Sequence, residues 1–179
     1  MNFNTRLKIY IGIAIFLIIT FFVKDSQPSQ QLPKIGSIPQ FEFIDSNGNT
    51  VTLNNLKGKV WVADFIFTTC TMACPMMTGN MNLVHKKFKK NDDVRLVSIS
   101  VYPEYDTPDV LKEYASQYDA DTEKWLFLTG DERSVKNIIK DGFKIGDFEE
   151  IIFHSEKFAL VDKNGTIRAY YNGMKSEDM

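Results

Sequence analysis

The chain has 179 residues, enough for one domain of ordinary size with its own core. Its 21 basic and 23 acidic residues nearly cancel, which argues against binding of nucleic acid through a strongly basic surface. The sequence also has no glycine-rich phosphate loop, so nothing in it indicates a nucleotide cofactor.

The N-terminus joins a short basic segment to an apolar run. Arg6 and Lys8 precede residues 9–23, which carry no charge. As a helix the run would span about 22 Å, less than a hydrocarbon core of about 30 Å, so it fits a cleaved signal peptide as well as an anchor. No small-residue cleavage site follows it, which favours an uncleaved membrane anchor over residues 1–23. The rest of the chain would then lie on the extracytoplasmic side, in an oxidising compartment.

A short linker separates this segment from the predicted domain. Residues 24–34 contain two prolines and no large apolar cluster, which is typical of an extended tether. Residues 35–179 remain, and they are numerous enough for one globular domain.

Strand and helix patterns alternate along this domain. The predicted strands occupy residues 41–43, 50–53, 60–67, 94–101, 125–130, 157–162 and 166–171. The first predicted helix has Pro75 in its first turn, the next two are capped at Thr107 and Asp131, and the last ends at Gly142. Turn residues between the first two strands and between the last two indicate hairpins. The pattern predicts an α/β, thioredoxin-like fold with an N-terminal β-hairpin and a closing C-terminal hairpin.

Both cysteines lie in the stretch TTCTMACPMM, residues 68–77. Cys70 would sit on the turn that leaves a buried central strand, and Cys74 at the start of the next helix. Their spacing suits a disulfide, a redox couple or two thiolates on one ion. Because a helix N-terminus stabilises negative charge, we expect a lowered pKa for at least one thiol and reactivity at both. An inert structural disulfide is disfavoured, since so short a loop gives modest stabilisation.

Two histidines could add to this pair. His85 belongs to the basic stretch 85–90, which we interpret as a solvated helix face. His154 precedes a predicted strand, where a loop can bring it over the cysteine turn. Two thiolates and one imidazole suit copper in either oxidation state, whereas zinc would usually need a fourth protein ligand. The predicted metal ligands are therefore Cys70, Cys74 and His154.

Methionines surround the two thiols. Thioethers are soft donors for Cu(I), and Met72, Met76 and Met77 flank the cysteines. The helical spacing of Met77 and Met81 favours core packing instead. Met72, which lies between the cysteines, is the best candidate for an additional ligand.

Three segments, residues 58–77, 98–115 and 153–173, resemble in order the motifs of the Sco/SenC copper-delivery proteins of the thioredoxin superfamily. The likeness implies that Cys70, Cys74 and His154 correspond to the family's copper ligands. It further implies a role in assembling the CuA site of cytochrome c oxidase, with the CuA-bearing subunit as partner. Tyr102 and Phe153 depart from the pattern, since many members carry acidic residues at these positions.

Two classes of function follow. As a metallochaperone, the protein would hold one copper ion and pass it by ligand exchange to an apo-site on a membrane partner. As a thiol-disulfide oxidoreductase, it would use Cys70 and Cys74 as a redox-active pair to reduce the cysteines of a partner. A peroxidase is less well supported, because the motif lacks a recognisable pocket for one activated peroxidatic thiol.

Overall fold

The computed structural model describes residues 32–146 and 156–175. These residues form the strands β1 (Gly36–Ser37), β2 (Glu42–Asp45), β3 (Thr50–Thr52), β4 (Val60–Ile66), β5 (Val94–Ser100), β6 (Trp125–Thr129), β7 (Lys157–Val161) and β8 (Thr166–Asn172). The helices are α1 (Leu53–Leu56), α2 (Ala73–Phe88), α3 (Pro108–Ser116) and α4 (Glu132–Asn137), and a π-helix, Ile138–Phe143, continues α4.

The described strands form one sheet in the order β1-β8-β7-β4-β5-β6-β2-β3. The central strands β4, β5 and β6 are parallel, so their carboxyl ends meet at one edge. Strand β7 pairs antiparallel with the other side of β4, which therefore has a neighbour on both sides. The predicted buried central strand is confirmed.

The alternation of side chains along β4 divides the core into two layers. Trp61, Ala63 and Phe65 join the apolar cluster on the face that also contains the π-helix residue Phe143. Ile66 joins the cluster on the opposite face, with Met77 and Met81 of α2 and Leu111 of α3 among its members. Because successive residues of a strand point to opposite faces, Asp64 points toward α2 and α3.

Both predicted hairpins are confirmed. Strands β2 and β3 pair antiparallel, and β2 also joins the sheet beside β6. Strands β7 and β8 pair antiparallel around Asn164 and Gly165. Gly165 has a φ of +79°, a conformation that glycine adopts without a Cβ clash, and its N–H donates to the carbonyl of Asp162 at 2.9 Å.

Caps fix the starts of the two later helices, as predicted. Thr107 accepts a hydrogen bond from the N–H of Val110 at 3.4 Å, and Pro108 occupies the first helical position. Asp131 accepts from the N–H of Ser134 at 2.9 Å. The helix that begins there is wider in its second half, where the π-helix carries it one residue past the predicted end, to Phe143.

The predicted anchor, residues 1–23, lies outside the described residues, as does the predicted linker up to residue 31. Among residues 32–146 and 156–175, none of the helices is long and apolar enough to cross a bilayer.

A buried carboxyl group interrupts the apolar character of β4. Asp64 is fully buried, and one oxygen accepts a hydrogen bond from the Ser98 hydroxyl at 2.6 Å. Ser98 in turn accepts from the indole N–H of Trp125 at 2.9 Å. The other oxygen, Oδ2, has no hydrogen-bond partner among the residues that the structure describes. Burial raises the pKa of Asp64 to about 7, against a partly opposing hydrogen bond from Ser98.

This raised pKa predicts a pH dependence of stability. Between pH 4 and pH 7 the unfolded chain loses the Asp64 proton while the folded protein keeps it, so the free energy of unfolding falls as the pH rises. The loss is on the order of 4 kcal/mol for a shift of about three pKa units. Asp64→Asn keeps an acceptor for Ser98 and removes the titration, so the variant should lose this slope.

Urea unfolding of both proteins at pH 5 and pH 8 tests the prediction. Each protein serves as its own reference, because the cost of burying an amide does not depend on pH. The prediction would be contradicted if the free energy of unfolding changed from pH 5 to pH 8 by the same amount in the unmodified protein and in Asp64→Asn.

Candidate metal centre

The turn that carries the cysteines begins where β4 ends. Residues 67–72 lead from the strand to α2, and the N–H of Cys70 donates to the carbonyl of Phe67 at 3.1 Å, which tightens the turn. Helix α2 begins at Ala73, so Cys74 is its second residue and Pro75 its third. Proline fits there because the first N–H groups of a helix have no partner within the helix.

Cys70 takes the place of a polar cap on this helix. The N-cap residue is Met72, whose side chain forms no capping hydrogen bond. Burial opposes ionisation of Cys70, but backbone N–H groups of Cys74, Met72 and Ala73, with the Cys74 thiol, outweigh it and lower the pKa of Cys70. The prediction that one thiol has a lowered pKa is confirmed.

Cys74 has the opposite character. It is only 6% exposed, whereas Cys70 is half-buried. Burial raises the pKa of Cys74 to about 12, despite a hydrogen bond from the backbone of Phe67, and the neighbouring charges of Cys70 and Asp64 add to the rise. The raised pKa and the burial make Cys74 the less readily ionised of the two thiols, and the expectation that both are reactive stays a prediction. The two thiols also affect each other, because the Cys74 thiol lowers the pKa of Cys70 and the Cys70 sulfur raises the pKa of Cys74.

A buried carboxylate ties the cysteine turn to the next loop of the sheet edge. Asp106 has no exposed surface and accepts from the Thr68 hydroxyl at 2.6 Å, from the Thr68 N–H at 3.2 Å and from the Ser100 hydroxyl at 2.6 Å. The N–H of Val101 also donates to the carbonyl of Ile66, at 2.8 Å. These bonds hold the start of the cysteine turn against the end of β5.

The methionines around the site fall into two groups. Met77 and Met81 are buried in the cluster between α2 and the sheet, which confirms the prediction of core packing. Met72 and Met76 are 84% and 53% exposed, so they do not belong to the core.

The structure tests the prediction for only one of the two histidines. His154 lies outside the described residues, so its predicted place over the cysteine turn stays a prediction. His85 is 3% exposed, and the interpretation as part of a solvated face is wrong for it. Its Nε2 accepts from the N–H of Asp121 at 3.4 Å, its ring lies 5.7 Å from that of Trp125, and burial lowers its pKa. The lysines that follow it are exposed, as predicted.

The structure therefore brings together two of the three predicted ligands. In the part of the chain that it describes, no group of three His, Cys, Asp or Glu side chains could hold a metal ion. Two sulfurs at a helix N-terminus fit a soft ion, and the N–H groups there favour the thiolate of Cys70.

Two acidic residues beside the site, Asp64 and Asp106, are not predicted from the sequence pattern. An aspartate inside an otherwise apolar strand is a signal for the first, because such a residue is buried at a cost. Nothing in the local sequence marks Asp106 as the partner of Thr68, since the two are 38 residues apart.

A central parallel sheet with a Cys-x-x-x-Cys turn at the carboxyl end of β4 defines a thiol protein with a thioredoxin-like α/β fold. The family model SCO1/SenC matches residues 29–179, and the chain belongs to this family. The resemblance noted in the sequence is thereby confirmed.

Its relatives extend over nearly the whole chain. It is 36% identical over 176 residues to the SCO1 protein homolog of Bacillus subtilis strain 168, which covers 95% of this chain and 91% of the relative. Among solved structures, it is 38% identical to BsSco, with a TM-score of 0.72 over 82% of this chain and 90% of BsSco. BsSco is a member of the Sco family of cytochrome c oxidase assembly proteins, and a disulfide switch has been identified in it. It is 30% identical to Bradyrhizobium japonicum ScoI solved with copper bound, with a TM-score of 0.66 over 79% and 91%.

The contrast between the thiols predicts selective alkylation. At pH 7, iodoacetamide should modify Cys70 at least tenfold faster than Cys74, because only Cys70 combines exposure with a lowered pKa. Mass spectrometry of short reactions measures both rates. In urea the two rates should become similar, and faster modification of Cys74 in the folded protein would contradict the prediction.

Proposed function

We propose that this protein is a copper metallochaperone that binds one copper ion through Cys70, Cys74 and His154. The observation that carries the proposal is the pair of adjacent sulfurs at the start of α2, one half-exposed and favoured as a thiolate. Copper displaces the Cys74 proton on binding, and the ion then neutralises the charge that the buried site would otherwise have to hold. The copper-bound ScoI relative supports the choice of metal.

The ion is cargo in this proposal. Cys70 is the ligand that an incoming partner can reach, because Cys74 is buried and Cys70 is only partly so. Transfer would proceed by ligand exchange, in which a partner thiolate binds copper at the exposed side before the ligands of this chain leave. The receiving site is the CuA site of cytochrome c oxidase, in line with the role of the BsSco relative in oxidase assembly.

The apolar run of residues 9–23 supports a location for this transfer. Residues 1–23 would anchor the chain in the membrane, residues 24–34 would act as the tether, and residues 35–179 would form the copper-binding domain on the extracytoplasmic side. The anchor would keep the domain close to a membrane-bound partner.

The asymmetry of the two thiols favours a second function, thiol-disulfide exchange. The Cys70 thiolate would attack a disulfide of a partner and displace one partner thiolate, which leaves a mixed disulfide. Cys74 would then attack the Cys70 sulfur, form the Cys70–Cys74 disulfide and release the second partner thiol. Two electrons pass from this chain to the partner. The disulfide switch of BsSco gives this alternative further support.

Anaerobic copper titration of the full-length protein in detergent tests the proposal. The reduced protein should bind one copper ion per chain, since the ligand set can form one site. The oxidised protein should bind none, because a Cys70–Cys74 disulfide offers no thiolates. A stoichiometry near zero after full reduction would end the chaperone proposal, and equal binding by the oxidised form would place the site elsewhere.

His154→Ala separates the two functions. Loss of one of three ligands should lower copper affinity at least 100-fold, with a larger effect on Cu(II), which depends more on nitrogen donors. Disulfide formation between Cys70 and Cys74 should survive. His85→Gln is the matched control: it keeps an acceptor for Asp121 and should leave copper affinity unchanged.

The same variant can be scored in cells at limiting copper. Loss of cytochrome c oxidase activity with intact thiol reactivity would make copper delivery the essential role. Full oxidase activity in a strain that carries only His154→Ala would overturn that assignment and favour the oxidoreductase.

A further inference from the structure

Exposed apolar side chains lie on the cysteine turn, at the start of α2 and on the neighbouring loop after β5, and Cys70 on that turn is half-buried. Met72 and Met76 are 84% and 53% exposed, and Tyr102 and Tyr105, in the loop after β5, are 47% and 50% exposed. The two tyrosine rings are stacked, with centroids 6.0 Å apart and planes 8° from parallel. We call these four residues the collar.

The two halves of the collar belong to neighbouring loops. Both loops leave the same edge of the sheet from paired parallel strands, with Ile66 opposite Ser100. Asp106 bonds to Thr68 in the first loop, and its own N–H donates to the carbonyl of Tyr102 in the second, at 2.9 Å. The tyrosine pair is thereby held beside the cysteine turn by a buried carboxylate.

The charged residue between the two tyrosines is acidic. Residues 67–77 and 101–111 contain no Lys or Arg, and Glu104 and Asp109 are exposed; the next exposed cation, Lys112, follows one turn after Asp109 on α3. The lysines of residues 86–90 lie at the opposite end of α2, about 20 Å along the helix from its start. A partner that approaches Cys70 therefore meets apolar surface with an acidic rim.

The area of the collar fits a transient partner better than a stable dimer. Four side chains of about 200 Å², each roughly half exposed or more, offer on the order of 450 Å². A standard stable interface buries about 800 Å² on each side. A chaperone must release its partner after each transfer, and Cys70, which would exchange ligands, lies on the same turn as Met72.

We propose that the collar is the docking surface for the protein domain that receives the copper ion, and that this domain presents an apolar patch with a basic rim around its own two cysteines. This inference rests on the proposed function, because it takes the receiving CuA-bearing domain as the occupant. The stacked tyrosines supply the main contact, since exposed aromatic side chains bury large area at low cost in side-chain entropy.

The test measures the affinity of the reduced, copper-free full-length protein for the reduced, copper-free CuA-bearing domain of cytochrome c oxidase from the same genome. Tyr102→Ala with Tyr105→Ala should raise the dissociation constant at least tenfold, and Glu104→Lys should weaken binding most at low salt. Phe88→Ala is the matched control, because Phe88 is an exposed aromatic residue at the far end of α2. Copper titration of the same variants should give unchanged affinity, which shows that the fold and the metal ligands are intact.

Met72→Leu with Met76→Leu separates docking from metal binding. Leucine keeps the apolar area and removes the thioether, so docking should stay within about twofold and copper affinity should not change. A fall in Cu(I) affinity would make the thioethers metal donors and overturn their place in the docking surface.

Failure of this inference is distinguishable from failure of the proposed function. Equal affinity of the double tyrosine variant and the Phe88→Ala control for the partner domain would overturn the docking surface while leaving copper binding intact. Absence of copper binding by the unmodified protein would instead end the proposed function, whatever the docking result.

Discussion

The chemistry of the site depends on how the N-terminus of α2 is satisfied. A helix start usually finds a serine, threonine or aspartate as its cap, but here Met72 holds that position and the N–H groups turn to the sulfur of Cys70. The same interaction favours the thiolate of Cys70. The helix terminus therefore favours one thiolate, while burial keeps the second thiol of the motif protonated.

The surrounding sheet fixes this turn in place. Strand β4 has neighbours on both sides, so the residue at which the turn begins cannot shift without breaking two sets of strand pairs. Asp106 then joins the turn to the loop after β5 through three hydrogen bonds. If this carboxylate were removed, the buried donors of Thr68 and Ser100 would lose their acceptor. The free energy lost would then exceed the net contribution of the hydrogen bonds themselves.

The sequence predicted what short-range patterns encode. Strand and helix periods, the Asn164-Gly165 turn and the caps Thr107 and Asp131 depend on neighbouring residues, and the structure confirms them. The prediction of a solvated face is wrong for His85, whose exposed lysine neighbours are typical of such a face. It follows Met77 and Met81 at steps of four, and that spacing marks the buried side of α2.

Short-range patterns do not predict contacts between segments that are distant in the sequence. The local sequence does not indicate that Asp106 bonds to Thr68 or that Asp64 is fully buried, because both depend on how β4, β5 and the two helices pack. The unequal burial of Cys70 and Cys74 has the same origin, and the spacing of the two residues gave no sign of it.

The central claim is that both sulfurs hold the copper ion together with one imidazole. X-ray absorption at the copper edge of the reduced, copper-loaded full-length protein tests it most directly. The account predicts two sulfur scatterers and one nitrogen scatterer in the first coordination sphere, with the sulfur signal lost in Cys70→Ser/Cys74→Ser. A first sphere of nitrogen and oxygen alone, or a spectrum unchanged in that variant, would contradict it.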